Sequence, residues 1–151
     1  MKRDRKQFYI AHPLPSKAKI RKWEIDCEIK LGIILINPFY NRWGEEYQFE
    51  KATGKITRYE ADAKAIVERD LNLISKSDGV IAIIDGNLSY GTIQEMVYAK
   101  LFKKPLFIVV TNGEENHPWF RYHATKIFTS FEDLERELAK YVNGQKNESS
   151  K

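Results

Sequence analysis

Residues 79–99 read GVIAIIDGNLSYGTIQEMVYA, and this stretch decides the fold. Its first part, 80–84, is an unbroken run of apolar and mostly β-branched residues, which is typical of a strand buried on both faces. The Asp-Gly-Asn sequence at 85–87 predicts a turn. Residues 92–103 then predict a helix. A buried strand, a turn and a helix in succession indicate half of a βαβ unit, and therefore a parallel sheet.

The same alternation recurs on both sides of this stretch. The predicted strands, each a short apolar run, are 7–11, 33–36, 80–84, 105–110 and 126–129. The predicted helices are 16–31, 59–77, 92–103 and 131–142. We therefore expect an α/β fold: a single doubly wound domain, Rossmann- or flavodoxin-like, of about five mostly parallel strands with helices on both faces. The domain should span 1–142, followed by a disordered C-terminal tail at 143–151.

Composition excludes several classes of protein. The chain has 151 residues, of which 42% are hydrophobic and 30% charged, so it is not collagen-like, low-complexity or largely disordered. Its apolar runs are too short to span a bilayer. The single cysteine, Cys27, excludes an internal disulfide and a multi-cysteine zinc site. These features predict a soluble, cytoplasmic protein with no membrane partner.

The net charge of +4 comes from the beginning of the chain. Residues 1–30 contain nine Lys and Arg against four Asp and Glu, whereas the remainder is close to neutral. Because the chain contains no recognised nucleic-acid-binding module, we expect no nucleic-acid partner. A basic segment beside a neutral body instead favours a small anionic ligand, or serves only solubility.

Two acidic residues are candidates for chemistry, because ligands of doubly wound sheets bind beyond the carboxyl ends of the strands. Glu95 is expected in the first turn of a helix, where the helix dipole favours an ionised carboxylate. A glycosidic nucleophile needs such a carboxylate. The same residues also fit a simple capping box, Thr92-x-x-Glu95. Asp70 is either a solvated charge beside Arg69 or a second carboxylate at the same sheet edge.

Four segments stand out together: YIAHP at 9–13, DLNLISKSD at 70–78, GVIAIIDG at 79–86 and GTIQEMVYA at 91–99. In this order they resemble the nucleoside 2-deoxyribosyltransferases and the related deoxynucleoside 5′-monophosphate N-glycosidases. The last segment is the most specific, since it is similar to the family's Gly-x-x-x-Glu-x-x-x-Ala pattern, with Gly91 as its glycine. The resemblance covers about residues 8–140.

The resemblance implies roles for three catalytic residues. Glu95 falls on the family's nucleophile, which attacks the anomeric carbon and holds the deoxyribosyl group covalently. Asp70 falls on the aspartate that contacts the nucleobase and assists its departure. Tyr9 matches the tyrosine whose hydroxyl orients the nucleophile.

Five further residues are candidates for substrate binding, and Gly91, the glycine of the family pattern, is one of them. Ser89 stands six residues before the nucleophile, where the transferases commonly have an aspartate that binds the sugar 5′-hydroxyl and the related hydrolases have a serine that touches the phosphate. A hydroxyl can donate to a phosphate that a carboxylate would repel. Ser16 opens a basic helix and either contacts an anion or caps the helix. Asp85 binds the sugar or caps its turn, and His12 contacts a ligand or is solvated in its loop.

The sequence leaves three functions open. The resemblance of most of the chain favours transfer of a deoxyribosyl group from a nucleoside to a free nucleobase. Ser89 instead favours a hydrolase of nucleoside 5′-monophosphates. A catalytically silent nucleotide sensor is the third. No cofactor or metal is expected, because no cluster of His with acidic residues suggests a metal site. The resemblance implies a homo-oligomer, with contacts expected at 112–125 and in the aromatic segment 38–49.

Overall fold

A computed structural model describes residues 5–40 and 63–149. Its strands are β1 (Gln7–Ala11), β2 (Ile34–Ile36), β3 (Gly79–Ile84), β4 (Leu106–Val110) and β5 (Lys126–Phe128). They form one sheet in the order β2-β1-β3-β4-β5, and all four pairings are parallel. This order and these directions confirm the predicted doubly wound α/β fold.

The helices of the described ranges connect successive strands or follow the last one. They are α1 (Lys17–Leu31), α2 (Ala63–Lys76), α3 (Tyr90–Leu101), α4 (Pro118–His123) and α5 (Phe131–Ser149), and a short 3-10 turn, Leu14–Ser16, precedes α1. None of the helices in these ranges is long and apolar enough to cross a membrane.

The core lies on both faces of the sheet. Side chains alternate along a strand, so Phe8 and Ile10 of β1 join one apolar cluster while Tyr9 and Ala11 join the other. The helix residues buried in the two clusters are Ile20, Cys27, Leu134 and Leu138 on one face, and Ile74, Met96, Ala99 and Phe120 on the other. The helices α1 and α5 therefore cover one face, and α2, α3 and α4 the other.

Both ends of α1 lie where the sequence predicts them, but the side chain at the N-cap does not cap the helix. Gly32 has a left-handed φ of +67°, and its N–H donates to the carbonyl of Glu28 at 2.9 Å. Glycine adopts this conformation without steric cost, so it ends the helix. Ser16 occupies the N-cap position, yet its side chain makes no capping hydrogen bond. Its hydroxyl has a more distant partner, described below.

The start of α3 corrects the predicted capping box. The helix begins at Tyr90, and Ser89 is its N-cap because the Ser89 Oγ accepts a hydrogen bond from the backbone N–H of Thr92 at 3.2 Å. Thr92 is thus the third residue of α3, and Glu95 is the sixth. Glu95 therefore lies in the second turn, where it cannot complete a cap.

Two helical segments differ from the sequence prediction. The predicted polar loop after β4 contains α4, which starts with Pro118 and is capped by His117, whose Nδ1 accepts from the backbone N–H of Trp119 at 3.3 Å. The last helix was predicted to end at Val142, before a disordered tail at 143–151, but α5 continues to Ser149. Gly144 costs only about 1 kcal/mol within a helix, so it does not have to end α5.

Some predictions lie outside the described residues. The start of the predicted helix 59–77 is one of them, since α2 is described only from Ala63. The aromatic residues Trp43, Tyr47 and Phe49 of the segment 38–49 are others.

Candidate active site

A crevice lies at the carboxyl ends of β1 and β3. The two strands are neighbours in the sheet, but α1, which follows β1, and α3, which follows β3, pack on opposite faces. The chain therefore separates at this point, which is where doubly wound sheets bind their ligands. The segments that follow the two strands at this edge are residues 12–16 after β1 and 85–89 after β3, and we call the region between them the crevice.

Tyr9 and Glu95 meet on the α3 side of the sheet. Tyr9 is fully buried in β1, and its hydroxyl donates a hydrogen bond to Glu95 Oε2. Burial, and next the nearby charge of Glu95, raise the pKa of Tyr9 well above its ordinary value. Tyr9 therefore keeps its proton and remains a hydrogen-bond donor to the carboxyl group.

The environment of Glu95 opposes its ionisation. Although part of this side chain reaches the surface, desolvation of the carboxyl group raises its pKa to about 8. The hydrogen bond from Tyr9 and the charge of Arg69 favour the ionised form, while the charge of Asp70 disfavours it. The sequence suggested an ionised carboxylate stabilised by the helix dipole. That effect fades beyond the first turn, so burial decides the pKa instead.

Asp70 lies near enough for its charge to act on both members of this pair. Its carboxylate is half-buried and accepts two hydrogen bonds at Oδ1 from Arg69, one from Nε at 3.0 Å and one from Nη2 at 2.8 Å. Burial raises the pKa of Asp70, and Arg69 opposes this. The fold thus brings together the three residues that sequence reasoning selected for catalysis.

Ser16 and Asp85 join the two walls of the crevice. The Ser16 hydroxyl donates to Asp85 Oδ2, and the Asn87 side-chain amide donates to Ser16 Oγ at 3.2 Å and to Asp85 Oδ1 at 3.1 Å. Partial burial alone would raise the pKa of Asp85, but these hydrogen bonds outweigh it and lower the pKa. The sequence analysis did not select Asn87. Its position two residues after Asp85, in the Asp-Gly-Asn turn, could have indicated this contact.

Ser89 and Gly91 lie where α3 meets the crevice. The Ser89 Oγ shares a hydrogen bond of 2.7 Å with the Thr92 hydroxyl besides capping the helix. Gly91 has no side chain, and a Cβ at this position would stand 3.8 Å from Glu95 Oε1. A cavity of about 210 Å³ adjoins this end of α3, and its lining includes Ser89, Thr92 and Asn112.

His12 is buried rather than solvated, with an exposed fraction of only 3%. Its Nδ1 donates to the Pro13 carbonyl at 2.9 Å, because a carbonyl oxygen only accepts. The Phe39 ring stands edge-on to the imidazole, with 4.8 Å between ring centroids. Burial lowers the pKa of His12, so the ring is neutral. Its Nε2 is buried without a hydrogen-bond partner.

The described residues 5–40 and 63–149 contain no cluster of three or more His, Cys, Asp or Glu that could hold a metal ion. Polar groups instead gather near the switch point: two carboxyl groups, a phenol and a guanidinium on the α2 and α3 face, and hydroxyl, amide and imidazole groups in the segments after β1 and β3. Such a set suits an organic substrate with several polar atoms.

The sequence matches the family described as nucleoside 2-deoxyribosyltransferase over residues 9–146. No curated protein sequence is significantly similar to the chain.

Several solved structures resemble this fold. A 2-deoxyribosyltransferase from Bacillus psychrosaccharolyticus is 18% identical, with a TM-score of 0.66 over 85% of this chain and 90% of that one. A 2-deoxyribosyltransferase from Leishmania mexicana is 18% identical, with a TM-score of 0.57 over 89% and 97% of the two chains. The CMP N-glycosidase BcmB from Clostridium botulinum is 16% identical, with a TM-score of 0.54 over 90% and 99%. At these identities the structural similarity establishes the fold alone.

Proposed function

The chain belongs to the nucleoside 2-deoxyribosyltransferase family of enzymes, and we propose that it breaks the N-glycosidic bond of a 2′-deoxynucleoside with Glu95 as the nucleophile. The observation that supports this most directly is the hydrogen bond from the buried Tyr9 hydroxyl to Glu95, beside Asp70, at the switch point of the sheet. Covalent catalysis of this kind replaces one difficult step by two easier ones.

In the first step the ionised Glu95 attacks the anomeric carbon. A bond forms from a Glu95 carboxylate oxygen to that carbon as the carbon–nitrogen bond breaks, and the electron pair of the broken bond leaves with the nucleobase. The base nitrogen takes up a proton, and Asp70 is the proposed donor because burial raises the pKa of its carboxyl group. The Tyr9 hydroxyl holds the nucleophilic carboxylate in position.

In the second step an acceptor attacks the same carbon and releases Glu95. A second nucleobase as acceptor gives a new nucleoside, while water gives the free sugar. The proton lost by the acceptor returns to Asp70. Transfer is the proposed reaction, because the family that the chain matches is a family of transferases.

Hydrolysis of nucleoside 5′-monophosphates is the second candidate function. Its support is Ser89, a hydroxyl at the beginning of α3 and in the lining of the 210 Å³ cavity, where the helix end favours an anion. A structurally similar protein is itself a CMP N-glycosidase. A catalytically silent nucleotide sensor is the third candidate.

Base release distinguishes the three. The protein is incubated with a panel of 2′-deoxynucleosides and their 5′-monophosphates, with and without a second free nucleobase, and the products are separated by chromatography. Exchange that requires an acceptor supports the transferase. Release from monophosphates alone supports the hydrolase. Binding without release from any substrate contradicts the catalytic proposal and favours the sensor.

Glu95→Gln provides the decisive variant, with Glu132→Gln, an exposed position on α5, as its matched control. We expect Glu95→Gln to lose more than about 10³-fold in turnover while still binding substrate, since it lacks the nucleophile. The Glu132→Gln control should retain wild-type activity. Equal activity of the two variants would contradict the role of Glu95.

We also propose that the protein is a homo-oligomer that associates through the surface of α3 and α4. Large apolar side chains are exposed there: Tyr90 is 79% exposed, Trp119 66% and Tyr122 68%. Trp119 and Tyr122, which are both on the short helix α4, are the large exposed aromatic side chains that such an interface would cover. Sedimentation should show an oligomer that Trp119→Glu dissociates, whereas Ile29→Glu, at a position on α1 that is 80% exposed, leaves it intact. A wild-type monomer would contradict the proposal.

A cytoplasmic location and independence from metals and cofactors remain predictions of the sequence.

A further inference from the structure

We propose that Arg69 is a positioning residue that holds Asp70 with one carboxylate oxygen directed to the departing nucleobase. This inference rests on the proposed function, in which Asp70 assists the departure of the base.

The contacts between Arg69 and Asp70 are not a routine consequence of helix geometry. Neighbouring residues of a helix point in different directions, and their side chains do not normally face each other. Arg69 nevertheless donates from both Nε and Nη2 to Asp70, at 3.0 and 2.8 Å. Both hydrogen bonds go to Oδ1. Within the part of the chain that the structure describes, Oδ2 accepts no hydrogen bond, so it is the oxygen that can serve a substrate.

A third contact fixes the arginine itself. Arg69 Nη2 also donates to the carbonyl oxygen of Pro38 at 3.0 Å. Pro38 lies just beyond β2, so this contact ties α2 to the carboxyl edge of the sheet. The Arg69 side chain is only 25% exposed and that of Asp70 only 19%, so solvent competes weakly for these hydrogen bonds. The guanidinium group thus sets the orientation of Asp70 relative to the crevice.

The charge of Arg69 acts on the whole catalytic group. It lowers the pKa of Glu95 and of Tyr9 as well as that of Asp70. Two carboxyl groups close together oppose each other's ionisation. The charge of Arg69 favours the ionised form of Glu95, so the nucleophile becomes available at a lower pH than it would otherwise.

Two substitutions separate orientation from charge. Arg69→Met removes both, so we expect kcat to fall about 10- to 100-fold and the rise of kcat/KM with pH to move about one unit higher. Arg69→Lys keeps a charge but cannot form the same planar pair of hydrogen bonds. It should therefore lower kcat with a much smaller displacement of the pH profile. Arg136→Met, at an exposed site on α5, is the matched control. It should have the kcat and the pH profile of the wild type.

The experiment measures kcat, KM and the pH dependence of kcat/KM for the wild type and the three variants, with thermal unfolding to verify that each is folded. If Arg69→Met does not fold, Arg69→Lys still tests the orientation by its loss of kcat. Wild-type kcat and pH dependence in both Arg69 variants would overturn the inference. If the Arg69 variants lose only thermal stability and keep wild-type kinetics, Arg69 has a structural role and the inference is overturned.

Titration of the side-chain carboxyl groups by ¹³C NMR, in the absence of substrate, keeps this test separate from the proposed function. In Arg69→Met the Asp70 and Glu95 carboxyl groups should titrate at higher pH than in the wild type. Unchanged titration would overturn the inference even in an active enzyme. If the wild type releases no base from any substrate, the proposed function fails, and the role of Arg69 in base departure fails with it.

Discussion

The environment of the Glu95 carboxyl group disfavours its ionised form. Desolvation raises its pKa to about 8, although the Tyr9 hydroxyl and the Arg69 charge both oppose the shift. The free protein therefore favours the protonated form of this group more than water does. Poor solvation is useful in a nucleophile, because a poorly solvated carboxylate has little solvation to lose when it forms a bond to carbon.

The raised pKa of Glu95 also predicts that the stability of the protein depends on pH. The pKa of Glu95 is about 8 in the folded protein and ordinarily 4.5, so between these values the folded state holds a proton that the unfolded state has lost. This contribution to the free energy of unfolding is complete below about pH 4.5 and is lost as the pH rises towards 8. Glu95→Gln cannot ionise, so its stability relative to the wild type should increase by up to about 4 kcal/mol between pH 5 and pH 8.5.

Urea denaturation of the wild type, Glu95→Gln and the control Glu132→Gln at both pH values measures this difference. A gap between Glu95→Gln and the wild type that stays constant with pH would contradict the raised pKa.

The beginning of α3 caps the helix and also sets the position of Glu95. Ser89 has an extended backbone, with φ of −144° and ψ of 105°, and its hydroxyl satisfies the N–H of Thr92. The helix then presents Glu95 to the crevice one and a half turns later. A helix start displaced by one residue would rotate Glu95 by about 100° and take it away from Tyr9.

Substitutions at Ser89 separate these two roles. Ser89→Ala loses the cap and should lower the free energy of unfolding by about 1 kcal/mol, whereas Ser89→Asp, which caps equally well, should retain it. In the same pair, only Ser89→Asp adds a negative charge, so it should select against 5′-monophosphates relative to nucleosides. Urea denaturation and the base-release panel measure the two effects. Equal stability of both variants would contradict the capping role.

The strands could be predicted closely from the sequence, and several contacts of the site could not. Continuous apolar runs such as 80–84 indicate buried strands because the run is short, rich in β-branched residues and followed by turn residues. A helix cap is harder to locate, since Ser89 and Thr92 are both good N-cap residues and only the backbone conformation decides between them.

The long-range contacts of the site could not be predicted from the sequence. The hydrogen bond from Ser16 to Asp85 and that from Arg69 to Pro38 join residues far apart in the chain, so no local pattern indicates them.

For the whole molecule, the two-sided core shields the only cysteine of the chain. Cys27 lies in α1 and is completely buried in the cluster shared with α5. Burial raises the pKa of its thiol to about 12, so little thiolate is present at neutral pH. A thiol reagent should therefore label the protein only when it unfolds, and the labelling rate should follow the unfolding rate measured by circular dichroism. Rapid labelling of the folded protein would show that the packing of α1 opens locally.

The overall architecture places the proposed chemistry on one side of the crevice. Tyr9, Glu95 and Asp70 come from elements on the α2 and α3 face of the sheet, while the linked Ser16 and Asp85 lie beside α1. A nucleoside in this crevice would contact both walls, and its reacting carbon would have to face Glu95.

The mass of the protein during turnover shows whether the sugar becomes covalently bound to Glu95. A 2′-fluoro-2′-deoxynucleoside, whose electronegative fluorine slows hydrolysis of the sugar from the enzyme, is mixed with the wild type and with Glu95→Gln, and each sample is quenched in acid. We predict that the wild type gains the mass of one fluorodeoxyribosyl group, that peptide mapping assigns it to Glu95, and that Glu95→Gln gains nothing. Base release by a wild type that never gains this mass, or a gain on another residue, would contradict the account.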